Sequence, residues 1–203
     1  MSRLVVVLLL VLALLVPASA RANGDPASDV LLTQQVFLPF EAPVSKSVAG
    51  DLRRTVSTAN GKGYKIRVAL IAFSSDLGTA VSLWKHPEDY SKFLGKEIAF
   101  VYSGPLLVSM PSGFGFYDQG RPVAKQQQVL AKLRPGTTPT PLAESTTAAV
   151  RALAASGGVT VPRSSGSSSG HDRLILGAAV AAFLVVLVVP AGFVRRRARG
   201  GAQ

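Results

Sequence analysis

Hydrophobic positions divide the chain into two uninterrupted apolar runs at its ends and a patterned stretch between them. Leu4 to Val16 is the first run, thirteen residues ended by Pro17. Leu174 to Val194 is the second, 21 residues without a charge. In between, Val44, Val48, Leu52 and Val56 recur every fourth residue, with Lys46, Arg53 and Arg54 off the stripe. That spacing predicts an amphipathic helix entered at Pro43 and ended near Asn60-Gly61. Tyr64 to Phe73 begins alternating and becomes continuously apolar, as a strand does on entering a sheet covered on both faces. Ser74-Ser75-Asp76 reads as a helix start. A helical stretch should reach Lys85, and a second short helix should follow Pro87 to about Leu94. Ile98 to Tyr102 reads as a strand, turned by Ser103-Gly104-Pro105 into Leu106 to Met110 as a hairpin. A further short strand is expected around Phe114 to Tyr117, with Phe114 and Phe116 on one face. Val123, Leu130 and Leu133 suggest one more helix; Leu142, Ala149, Val150 and Leu153 suggest a last, capped by Gly157. The expected fold class is α/β, a small mixed β-sheet covered by helices, with one C-terminal transmembrane helix.

The terminal runs have unequal lengths and unequal meanings. Thirteen helical residues span about 20 Å, short of a bilayer core of about 30 Å. With Arg3 before it and small residues after Pro17, this is the pattern of a secretory signal peptide, residues 1–20, cleaved after Ala20 or Ala22. Twenty-one residues reach about 31 Å and match the hydrocarbon core. Arg195, Arg196, Arg197 and Arg199 follow, and the larger basic cluster marks the cytoplasmic side. The expected layout is a domain at 27–156 outside the cell, a Gly/Ser-rich tether at 157–172, a span at 174–194 and a basic cytoplasmic tail at 195–203. The chain would be a single-pass cell-membrane protein. The tether cannot bury apolar area and should behave as a flexible linker.

Charge and composition change this picture little. The net charge is +11, but the two ends carry about half of the excess, so the basic surplus belongs to topology and nucleic acid is not expected as a partner. There is no cysteine, which removes disulfides, thiolate metal sites and thiol nucleophiles. His86 and His171 are the two histidines, and both read as solvated polar residues. Ser82-Leu83-Trp84-Lys85 has the Ser-x-x-Lys form but lacks its partner motifs. No phosphate loop, nucleophile elbow or His-Glu-x-x-His is present.

Asp29-Val-Leu-Leu with a following Phe, the strand Ile66 to Ala72, Phe93-Leu-Gly-Lys-Glu before Ile98-Ala-Phe-Val-Tyr, and Leu106-Leu-Val before Gly113-Phe-Gly-Phe together resemble the TPM-domain family. These are small extracytoplasmic α/β domains of thylakoid-lumen photosystem-repair proteins and of many bacterial membrane proteins. The resemblance covers about residues 27–117. It implies a central sheet with helices on both faces. It also implies one of two activities: assembly or repair without catalysis, or acid phosphatase chemistry in an acidic, cation-binding pocket. The first carboxylate of such a pocket would be Asp29 or Asp25. In the loop Gly95-Lys96-Glu97, an ammonium stands where a cation site wants oxygen. The expectation is therefore a non-catalytic domain without cofactor that binds envelope or membrane partners, Trp84 and Tyr90 being the candidate contacts. The alternative is a phosphatase using Asp29, Asp76 and Glu97 with a divalent cation.

Overall fold

Residues 24–41 and 43–163 are described by a computed structural model. The signal-peptide, tether, span and tail assignments, Arg195 to Arg199 included, lie outside these residues, apart from the first part of the tether. Among the described residues no helix is long and apolar enough to cross a membrane. The described residues through Val161 form one compact unit.

The elements in chain order are α1 (Pro26–Thr33), β1 (Val36–Phe37), α2 (Lys46–Gly61), β2 (Arg67–Leu70), a 3₁₀ segment (Ser74–Leu83), α3 (Pro87–Glu97), β3 (Leu106–Met110), β4 (Gly113–Tyr117), α4 (Ala124–Leu130) and α5 (Pro139–Ser156). The strands form one mixed sheet in the order β1-β2-β3-β4. β1, β2 and β3 run parallel, and β4 pairs antiparallel to β3.

Alternation along the strands builds two cores. Ile66, Val68, Leu70 and Ala72 face one way, with Val36, Leu107 and Phe116, against Leu52 and Val56 of α2 and Leu142, Val150 and Leu153 of α5. Ala69 and Ile71 face the other way, with Phe37, Leu106, Val108 and Met110. Their partners are Leu31 of α1, Leu77 of the 3₁₀ segment, and Tyr90, Leu94 and Ile98 around α3. A strand buried on both faces needs apolar residues at every position, which is why 66–72 carries almost no polar residue. Arg67 is the exception. Its guanidinium lies 4.3 Å from the Tyr102 ring centroid and donates to the Leu31 carbonyl. Asn60 joins the end of α2 to β2: its amide donates to the Val56 and Ile66 carbonyls and its oxygen accepts from Ile66 N–H.

The two crossovers cannot share a hand. β1 to β2 passes through α2 on one face, and β2 to β3 passes through the 3₁₀ segment and α3 on the other, while the strands advance in one direction. One of them is therefore left-handed, against the strong preference of parallel units for right-handed crossovers.

Several expectations change. Ile98–Tyr102 is not a strand. α3 continues through Glu97, Ile98 is its C-cap, and the next residues turn, with Tyr102 N–H donating to the Ile98 carbonyl at 2.8 Å. Tyr90, Leu94 and Ile98 form the i, i+4, i+8 stripe of that helix, so Ile98 is buried as its last rung. The hairpin instead joins Leu106–Met110 to Gly113–Tyr117. β1, two residues long, and α1 are additional. α2 starts at Lys46 rather than Pro43, because Ser45 is the N-cap. The stretch after Ser74 is 3₁₀ and is broken at Gly78, whose φ of 53° and ψ of −117° are not helical. After α5 the left-handed residue is Gly158, φ 84°, and Gly157 is an ordinary C-cap.

Gly115 in β4 lets α3 approach at backbone distance: a Cβ there would lie 1.9 Å from the Pro87 carbonyl oxygen. Backbone cannot rotate away as a side-chain tip can. Gly115→Ala is expected to destabilise the domain by about 3 kcal/mol through overpacking. Urea unfolding of the variant against the parent would show this as a lower midpoint at unchanged slope.

Candidate functional site

Asp25 precedes Pro26 and caps α1, accepting from Ala27 N–H at 3.0 Å. Pro at the first helical position costs no hydrogen bond, so Asp-Pro is a compact start signal. The carboxylate is 4% exposed and accepts the Tyr90 hydroxyl at 2.7 and 2.8 Å. Burial pushes its pKa up to about 6; the Tyr90 and Ala27 hydrogen bonds oppose this, and the charges of Glu97 and Asp29 add to it. Tyr90 in turn is held far above the usual phenol range by burial and by the Asp25 charge.

The structure therefore brings the influence of Asp29 and Glu97 to one place, around Asp25, while both residues themselves are exposed. Asp76 serves another purpose. It is 2% exposed and its Oδ2 accepts from the N–H groups of Ala72 and Phe73, each at 2.9 Å. The chain after β1 is tied to the chain after β2 one residue earlier, where the Ser75 hydroxyl donates to the Glu41 carboxylate at 2.9 Å. Burial nevertheless raises its pKa. Among the described residues no group of three His, Cys, Asp or Glu is placed to hold a metal ion. Tyr90 does not meet the expectation of a partner contact: it is fully buried, because its ring fills the core beneath α1 and its hydroxyl is committed to Asp25. Trp84 is half-buried against the same core.

A second region was not singled out in the sequence. A hollow of about 500 Å³ lies along β1, lined by Val30 of α1 and its C-cap Gln34, by Val36 to Phe40, and by Lys46, Ala49, Gly50 and Arg53 of α2. A neighbouring hollow of about 390 Å³ shares Gln34, Val36 and Arg53 with it. β1 is an edge strand. Gln35 carbonyl accepts from Val68 N–H at 2.9 Å, and Phe37 is the next residue to face β2. Val36 between them turns its N–H and C=O away from the sheet, toward the hollow. The described lining residues include no carboxylate, and Lys46 and Arg53 are both exposed. Lys46 opens α2, whose first turn has no acidic residue, so its charge adds to the positive helix end. At the groove mouth Phe40 is 68% exposed and sits edge-on to Phe37, with ring centroids 5.4 Å apart. Phe73, whose N–H donates to Asp76, is also exposed.

No family model matches the chain, and no curated protein matches it. One solved structure is similar: the solution NMR structure of the N-terminal domain of cg2496 protein from Corynebacterium glutamicum. It is 16% identical with a TM-score of 0.40, over 68% of this chain and 86% of that one. A likeness at this level carries no argument about fold or function.

The signal that would have found the groove was weak. Phe40 follows Leu38-Pro39 in a stretch without periodicity, and a two-residue strand has no alternation to read. Lys46 and Arg53 look like any solvated helix face until β1 is placed beside them.

Asp25 also sets a pH dependence. The folded chain keeps the Asp25 proton up to about pH 6, whereas the unfolded chain releases it near 3.8. Between those values the folded state binds more protons, so this contribution to stability falls as pH rises through the window and is flat above it. The loss is up to about 3 kcal/mol. Asp25→Asn, which can still cap α1, should flatten the difference between unfolding midpoints at pH 4.5 and pH 7.

Proposed function

We propose that the chain is a membrane-tethered extracytoplasmic recognition domain that works by binding envelope or membrane partners rather than by catalysis. The observation that carries this reading is the open groove along β1, with unpaired backbone, exposed Phe40 and Phe73, and two cations on its wall. Charged rims around apolar contacts at a sheet edge are features of protein-binding surfaces. The sequence patterns at 1–20 and 174–194 support export and one membrane span, and the TPM resemblance supports a domain of this layout. One span holds the domain at the membrane surface and raises its effective concentration toward partners there.

A phosphatase reading has one observation in its favour, the joint influence of Asp29 and Glu97 on Asp25. It would use Asp25 in place of Asp76, whose Oδ2 accepts from two backbone N–H groups. Cation-dependent hydrolysis of p-nitrophenyl phosphate, lost in Asp29→Ala or Glu97→Ala, would support it.

The binding reading is tested by placing p-benzoylphenylalanine at position 40 of the full chain and, as control, at exposed position 92 on α3. Irradiation of intact cells is expected to give adducts of defined size from position 40 only. Equal yields from both positions, or none from position 40, would remove the groove from the binding face.

A further inference from the structure

The open edge of β1 offers more than an apolar hollow, and its chemistry narrows the occupant. We propose that it accepts an extended, acidic polypeptide segment of another protein, which adds to the sheet as a fifth strand beside β1. This inference rests on the recognition reading and specifies its partner.

Three observations converge. The first is backbone. Val36 directs one donor and one acceptor away from β2, and no backbone partner for either exists among the described residues. Its side chain is 4% exposed in the core, and neighbouring Phe37 is fully buried in the opposite core, so the strand cannot turn to satisfy these groups internally. An incoming strand pairs them at the usual spacing of about 4.8 Å.

The second is shape. The two adjoining hollows follow residues 33–40 between the walls of α1 and α2. A strand rises about 3.3 Å per residue, so a segment of about seven residues fills this path. On the α2 wall Gly50 presents no side chain, and the Arg54 guanidinium, the far end of an exposed and flexible side chain, lies over it, 3.2 Å from where a Cβ would be.

The third is charge. Lys46 and Arg53 stand two helical turns apart, about 10 Å along α2, on the same wall. No ion pair is formed by either among the described residues. Side chains on one face of a strand recur at about 7 and 13 Å, within reach of both long cations. Acidic residues two or four apart on the incoming strand therefore meet both. The same charges argue against a second copy of this chain. Two-fold pairing of β1 with β1 would set Lys46 and Arg53 against their own equivalents.

The test uses the full chain in detergent micelles and fluorescein-labelled peptides of about seven residues, read by anisotropy. An alternating Glu-Val peptide is expected to bind at least about tenfold tighter than its Lys-Val counterpart. The Lys46→Glu, Arg53→Glu double variant, both positions being exposed, should reverse that order. Two further Glu-Val peptides carry N-methyl groups on alternate amides, one on the odd and one on the even set. Strand addition predicts that one series loses about tenfold in affinity while the other keeps it, because alternate amides face the sheet. Equal affinity of both N-methyl series would show charge attraction without strand pairing and overturn the proposal. So would absence of binding by the Glu-Val peptide, or a self-association of the chain that this peptide dissolves, which would assign the edge to a second copy. If adducts form from position 40 while the peptides fail, strand addition falls and the broader recognition reading stands.

Discussion

Two consecutive side chains fix the edge of this sheet. Val36 enters one core and Phe37 the other, so a strand only two residues long is anchored on both faces. Burying both side chains contributes several kcal/mol of hydrophobic stabilisation, of order 2–3 kcal/mol each. Once they are in place, the peptide groups of β1 have no freedom. Those of Phe37 face β2 and those of Val36 face outward. The Asp76 carboxylate holds the chain after β2 through the N–H groups of Ala72 and Phe73, and the Ser75 hydroxyl reaches from there to the Glu41 carboxylate beyond β1. Edge strands are usually blunted by charge, proline or a covering element. Here Pro39 follows the strand and cations flank it, but the edge between remains open.

The acidic residues divide by role on physical grounds. Asp25 and Asp76 are buried and accept hydrogen bonds within the fold: Asp25 from a helix start and a phenol, Asp76 from two backbone donors. Both carry the penalty of a desolvated charge, which their donors offset in part. Asp29 and Glu97 are exposed. Carboxylate count alone therefore misleads as a guide to chemistry here, because the most buried carboxylates are the ones committed to architecture.

Long elements were legible in the sequence and short ones were not. α2 and α5 carry enough turns for their stripes to show, and the run from Ile66 to Ala72 announces a strand covered on both sides. The expectation that Phe114 and Phe116 share a face also holds, since both pack toward the core that contains Leu107. Ile98 to Tyr102 misled because five apolar residues fit a strand and a helix end equally well. The helical spacing from Tyr90 was the better guide. β1 was invisible, since its identity comes from pairing with β2 and not from any local pattern. The groove depends on β1, so it was invisible for the same reason. Tyr90 heads that same helical stripe, so its burial follows from the spacing, whereas the partner of its hydroxyl, Asp25, lies 65 residues earlier and leaves no local signal.

The division into two cores has a consequence for the order in which the chain can mature. Every buried member of the core around Tyr90 lies between Ala27 and Met110, whereas the other core also needs Leu142 to Val161. A polypeptide that emerges amino end first can close the former while the opposite flank of β2 and β3 has only α2 to cover it. Until α5 arrives, that flank is half roofed, a sticky interval in which a chaperone or a neighbouring nascent chain would find its hold. Vectorial emergence thus gives this small domain a built-in half-finished state, defined by which face of one sheet has been roofed.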